Sequence, residues 1–302
     1  MNLALAAAAL TGVQVGAAIV ASRLVVGEVP PLTLALLRYA IGLACLLPFA
    51  AWALLRRGSR PAARAMAPDL LPMALLGVVQ FAAVIALLNY GLRHVGAAQA
   101  ALIFSLFPLL TLALSAALGQ DRITPALLGG MLLSVAGVGL ALAPRLAASQ
   151  GGHWWGELAM LASTVLGAGC SVLYRPYLRR HPALPVSAWA MAASVAALAV
   201  LALTEGWPAR LPLLSSQAWG VAAFIGLSSG VGYFLWLYTL KHESPARVTV
   251  FLALNPVTAA VLGALVLGEP LALPVAGAIV LIAGGLALAV RTAKPVDGHL
   301  KA

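Results

Sequence analysis

The sequence predicts an all-α integral membrane protein of ten transmembrane helices, arranged as two inverted five-helix repeats. Three observations carry that reading. Of 302 residues, 63% are hydrophobic and 9% charged, with a mean hydropathy of +1.02. A soluble domain carries about a quarter charged residues and about half apolar ones, so no water-soluble core of this size hides so much apolar surface. Apolar runs, each near the roughly 20 residues that a spanning helix needs, follow one another along the chain. Part of the second half also repeats the first.

The runs lie near 3–22, 31–55, 70–91, 97–118 and 125–143, then near 155–174, 186–204, 216–239, 246–267 and 271–291. They are too long for barrel strands. With no water in the hydrocarbon, a helix is the element that satisfies its own backbone groups. The first run starts at Leu3 without the basic flank and small-residue cleavage site of a signal peptide, so it reads as the first membrane helix. Glu28-Val29-Pro30-Pro31 separates the first run from the second, and Arg56-Arg57-Gly58-Ser59-Arg60-Pro61 the second from the third. Ser149-Gln150-Gly151-Gly152 precedes the sixth run, and Arg179-Arg180-His181-Pro182 follows it. The repeats then take residues 1–145 and 146–302.

The net charge of +10 does not signal nucleic acid. The basic residues sit in short clusters between apolar runs, with no long basic stretch interleaved with aromatics. With both termini placed in the cytoplasm, the outer segments hold only Arg23, Arg93, Arg145 and Arg210. The inner segments then hold roughly three times as many Lys and Arg, which is the orientation that membrane insertion favours. Localisation in a bacterial inner membrane is expected. Cys45 and Cys170 fall inside apolar runs and read as small buried residues, not as a disulfide or metal site.

The repeat appears when Tyr90–Ala141 is aligned without gaps on Tyr238–Ala289. Tyr90, His94 and Pro108 meet Tyr238, His242 and Pro256; Gly129 and Gly137 meet Gly277 and Gly285; Asp121 meets Glu269. An odd number of helices per repeat inverts the second copy in the membrane, a common way to build a carrier with two exchangeable openings.

Several of these residues carry a family resemblance. Arg38 lies within Leu36-Leu37-Arg38-Tyr39. Pro108 is followed by Gln120-Asp121-Arg122, and Leu254-Asn255-Pro256-Val257 by Leu267-Gly268-Glu269-Pro270-Leu271. Over nearly the whole chain, the sequence resembles the drug/metabolite transporter superfamily, in particular its ten-helix EamA-type members. The first copy departs from the usual pattern, reading Gly119-Gln120-Asp121 where Gly-Glu is usual. The resemblance implies export or exchange of amino acids and related metabolites through a central cavity, as in the YddG-like exporters.

Polar side chains inside spans are costly and face other helices or a cavity. Arg38, a strong base within an apolar run, reads either as a ligand for a substrate carboxylate or as a structural Arg near the helix end. Gln14, Gln80, Asn89 and Asn255 each donate and accept hydrogen bonds, which suits either a zwitterion or a cross-helix contact. Tyr90, next to Asn89, joins the candidates. In the eighth run Ser228, Tyr233 and Trp236 form either an aromatic and hydroxyl wall for substrate or a packing face; Gly226 and Gly230 let another helix approach. Phe104 and Phe107 line or pack, and Trp155 reads as a wall or an interfacial belt residue. Pro108 and Pro256 each remove a helical hydrogen bond, which suits hinges or static kinks.

The five histidines fall in loops or tails, and no Asp or Glu falls mid-span. Proton-coupled carriers often use such buried groups, so facilitated diffusion or exchange is expected. No phosphate-binding loop is present, so ATP is not the expected fuel. The expected function is a non-enzymatic carrier, without metal or cofactor, moving amino acids or similar metabolites by alternating access. Its partners are a small-molecule substrate and the lipid bilayer, not nucleic acid; nothing in the sequence sets an oligomeric state. A multidrug or cation efflux carrier is the rival expectation, and a non-transporting membrane scaffold the weaker one.

Overall fold

A computed structural model of the chain describes residues 3–56, 66–118, 125–147, 154–242, 254–269 and 273–291. The described chain is all-α. Its principal helices are α1 (Leu3–Val25), α2 (Pro31–Arg56), α3 (Ala67–Gly91), α4 (Ala97–Ala117), α5 (Pro125–Ala147), α6 (Trp155–Arg180), α7 (Ala183–Leu201), α8 (Ser216–His242), α9 (Leu254–Leu267) and α10 (Leu273–Arg291). Seven of them, α1 to α4 and α6 to α8, are long and apolar enough to cross a membrane. The other three are shorter apolar segments, over Leu128–Leu140, Leu254–Leu267 and Leu273–Gly285. At 1.5 Å per residue, the 14 residues of α9 reach about 21 Å, short of the roughly 30 Å hydrocarbon core. The flanking 246–253 and 271–272, which the sequence assigns to spans nine and ten, lie outside the described residues, as does Asp121.

Two helices are irregular. α3 turns π-helical over Val78–Ala83. α4 breaks at Ser105–Leu106, between Ala97–Phe104 and Phe107–Ala117. Pro108 therefore stands in the first turn of a new segment, where its missing N–H costs no helical bond. Within the span Ala97–Ala117 this is an interior position, and the helix is interrupted just before it. Pro256 lies buried near the start of the described part of α9.

The packing has an internal symmetry. Exchanging each helix for the one five places along preserves the main pairs of neighbours. α1 packs on α8 and α9, as α6 packs on α3 and α4; α2 packs on α8, as α7 packs on α3. α2 with α7, α4 with α9 and α5 with α10 are paired with their own counterparts. The symmetry reaches single contacts. A Cβ built on Gly129 would meet Leu288 at 3.2 Å, and one on Gly277 would meet Leu140 at 3.0 Å. In the gapless alignment 129 corresponds to 277 and 140 to 288. The contacts also run in opposite senses along α5 and α10, so these matching helices are antiparallel.

Glycines allow a close crossing between α2 and α8. A Cβ on Gly230 would lie 2.8 Å from the Gly42 carbonyl oxygen, so only glycine permits this approach. At one end of the bundle, carboxylates cap helices of the opposite half. Glu205 accepts from the N–H groups of Leu32 (3.0 Å) and Thr33 (2.7 Å) at the start of α2. Glu269 accepts from Ala97 N (2.9 Å) at the start of α4, and Glu28 from Ser215 N (2.6 Å) just before α8. Each places a negative charge on the free N–H groups of a helix start, where the dipole favours it. At the other end Asp69 accepts from His181 Nε2 (2.7 Å) and Arg180 Nη1 (3.1 Å), tying α3 to the turn between α6 and α7.

Two apolar clusters fill the interior. One gathers Val25, Val29, Leu34, Leu88, Leu92 and Ile225 toward the carboxylate-capped end. The other gathers Leu46, Met73, Tyr174, Leu178, Val186 and Met191 toward the Asp69 end. Large apolar side chains such as Leu132, Leu265, Leu273 and Val280 remain exposed on the flanks of α5, α9 and α10. A lipid surround matches such a surface. Cys45 and Cys170 are both free.

Candidate functional site

Between the two apolar clusters lies a cavity of about 110 Å³, walled by α1, α2, α3, α4 and α8. A water-sized position takes about 10–15 Å³ of such space, so the cavity has room for about seven to eleven of them. That is the size of a small metabolite.

Its polar groups come from helix middles. Gln14 and Thr11 line it from α1, Arg38 from α2, Gln80 from α3, and Ser229 from α8. Arg38 is 7% exposed and donates from Nε to Ser229 Oγ at 2.6 Å. Its guanidinium also lies 5.7 Å from the Tyr39 ring centroid. Among the described residues, no carboxylate pairs with it. A buried cation without an anionic partner is expensive, so this wall is poised for a negative group. Gln14 donates from Nε2 to Ser228 Oγ at 3.2 Å, while Gly232 leaves room for the Gln14 amide; a Cβ there would collide with it. Adjacent serines on α8 thus hold the polar groups of α1 and α2.

The rest of the wall is aromatic and forms two chains of rings. Tyr39, Phe81 and Tyr233 stack at centroid distances of 4.7 and 4.4 Å. Phe104, Phe107 and Trp236 follow at 5.4 and 6.2 Å. Ring pairs at these spacings prefer tilted and edge-on packing, which leaves ring faces for an apolar side chain.

The structure therefore brings together Gln14, Arg38, Gln80, Phe104, Tyr233 and Trp236 on one wall, with Ser228 immediately behind it. It does not bring Asn89, Tyr90, Trp155 or Asn255 there. Asn89 is buried and donates from Nδ2 to the Pro31 carbonyl at 3.1 Å, closing the end of α3 onto the start of α2. Tyr90 is 39% exposed and stacks on His94; Trp155 is 61% exposed at the start of α6. Asn255 is 1% exposed, and neither polar atom of its side chain has a partner among the described residues. Leaving such atoms unpaired costs about 1–3 kcal/mol each. Thr11, Tyr39 and Phe81 line the cavity without having been singled out in the sequence. Tyr39 and Phe81 each follow a polar lining residue directly. That adjacency was the available signal.

Among the described residues no group of three or more His, Cys, Asp or Glu is placed to hold a metal ion. Glu157, buried at the start of α6, accepts from Gln99 Nε2 at 3.3 Å, away from the cavity.

Comparison with known proteins agrees with this architecture. The chain is 30% identical over 240 residues, 77% of its length and 76% of the other's, to a probable terminal-alkyne amino-acid exporter of Streptantibioticus cattleyicolor. It is 27% identical to an uncharacterized transporter of Archaeoglobus fulgidus, over 74% of this chain and 78% of that one. It is 26% identical to the uncharacterized transporter YyaM of Bacillus subtilis, over 70% of each. A solved crystal structure, 25% identical in sequence, superposes with a TM-score of 0.68 over 97% of this chain and 99% of that one. The EamA-like transporter family model matches residues 2–143 and 154–291, and the chain, a multi-pass membrane transporter, belongs to that family.

Proposed function

We propose that the protein carries small zwitterionic metabolites, foremost amino acids with apolar or aromatic side chains, across a bacterial inner membrane by alternating access. One observation carries this reading: Arg38, a buried guanidinium on the cavity wall with no acidic partner among the described residues. The substrate carboxylate binds Arg38, and the substrate side chain lies against Tyr39, Phe81, Phe107, Tyr233 and Trp236. Charge-assisted hydrogen bonds to a guanidinium are the strong ones, so this contact sets orientation. The amino-acid exporter among the relatives supports the same substrate class.

The carrier has ten spans in two inverted halves, residues 1–145 and 146–302. The antiparallel packing of the matching helices α5 and α10 supports the inversion. Both termini lie in the cytoplasm, on the charge balance of the loops. Exchange of the two packings moves the opening from one side to the other. Transport proceeds by diffusion or exchange, without catalysis of a chemical step. Glu28, Glu205 and Glu269 are occupied as helix caps at one end, and Asp69 lies at the other. A cation-efflux role is disfavoured by the same Arg38, which repels cationic drugs.

The test is a proteoliposome flux screen of purified protein with labelled leucine, phenylalanine and glycine against cationic dyes. Saturable exchange of the amino acids is expected, unaffected by collapse of a pH gradient. Dye flux without amino-acid flux would contradict the substrate class. Uptake driven by the pH gradient would contradict the coupling.

A further inference from the structure

Asn255 occupies an unusual position. It is 1% exposed, it sits at the start of the described part of α9, and both Nδ2 and Oδ1 lack a partner among the described residues. Its counterpart in the repeat alignment is Phe107, with Pro108 matching Pro256. Phe107 lines the cavity. The surroundings of the two residues also correspond. A Cβ on Gly16 of α1 would meet the Asn255 carbonyl oxygen at 2.6 Å; one on Gly167 of α6 would meet the Phe107 ring at 2.7 Å. α1 is therefore to α9 as α6 is to α4. Gly16 faces α9, whereas Gln14 of the same helix faces the cavity, on a nearly opposite side of α1. The helix α1 thus stands between Asn255 and the cavity.

We propose that Asn255 is a substrate-binding residue of the oppositely open state, hidden in the present one. The inference rests on the alternating-access reading above. When the halves exchange packings, α9 takes the place of α4 and position 255 takes the place of position 107 on the cavity wall. Where the present wall offers a ring, the exchanged wall offers an amide. Its Oδ1 accepts from the ammonium of a zwitterionic amino acid, and its Nδ2–H donates to the carboxylate. A buried amide kept unpaired until the substrate arrives is the kind of local inconsistency that functional sites retain.

Two variants test this. Asn255→Leu keeps the branching at Cγ, with somewhat larger terminal groups, and removes the unpaired polar atoms. Its unfolding temperature in detergent is expected to equal or exceed that of the parent, while leucine and phenylalanine exchange in proteoliposomes falls at least about tenfold. Unchanged exchange would overturn the proposal; so would a clear loss of folded protein, which marks a structural asparagine. The second variant is Asn255→Cys in a background with Cys45→Ala and Cys170→Ala. A permeant maleimide is expected to label it faster during leucine exchange than at rest, and equal labelling in both conditions would overturn the proposal. If the parent protein itself exchanges no amino acid, the proposed function fails, independently of Asn255.

Discussion

Arg38 lies seven residues into α2, about 10 Å from the helix start at 1.5 Å per residue, and is buried within the bundle. Its Nε bond to Ser229 leaves the remaining guanidinium N–H groups for a carboxylate. Arg38→Gln is expected to lower amino-acid exchange about 10–100-fold, the worth of a charged hydrogen bond at roughly 1.5–3 kcal/mol. Arg38→Lys is expected to fall between the two, because a point charge replaces a planar fork. Initial-rate flux, with folded protein verified by gel filtration, checks both. Gln14, Arg38 and Gln80 were legible in the sequence because a polar residue in an apolar run needs a reason. Tyr39 and Phe81 look like any other apolar residue in a span, so only packing separates wall from core. Asn89 was drawn away by Pro31, whose carbonyl faces it across a helix end that one-dimensional reading does not see.

At the scale of the element, the crossing of α2 and α8 governs the cavity, since it seats Arg38 against Ser229. Gly230→Val is expected to destabilise the protein by about 1–3 kcal/mol, because the obstructing atom is the Gly42 backbone and has no rotamer to yield. A lowered unfolding midpoint in detergent checks this. The cap of α8 carries a pH dependence. The Ser215 backbone N–H and then its hydroxyl hold Glu28 below its ordinary value of 4.5. A carboxylate with a depressed folded value stabilises above the unfolded value and loses that contribution as pH falls through the folded one. Glu28→Gln is therefore expected to unfold earlier than the parent at neutral pH, and the gap is expected to close as pH drops below 4.5. A gap that widens in acid would contradict the sign. The existence and order of the helices were readable from the apolar runs. The π-helical stretch of α3 was not, whereas the break in α4 falls just before Pro108, where a proline interrupts the helical hydrogen bonds.

At the scale of the whole molecule, the repeat was legible because Tyr, His, Pro and Gly matches are rare enough to stand out from Ala and Leu. The exact contact symmetry of Gly129–Leu288 and Gly277–Leu140 needed the fold. The cavity also needed it, since it draws four walls from the first half and one, α8, from the second. Under the proposed alternating access, that unequal share belongs to one of two states. The decisive measurement is labelling of Gln80→Cys, on the α3 wall, in a background free of Cys45 and Cys170, with an impermeant maleimide applied from each side of the membrane in turn. A carrier with alternating access predicts labelling from both sides and protection by a transported amino acid. Labelling from one side alone, or none slowed by substrate, would contradict it.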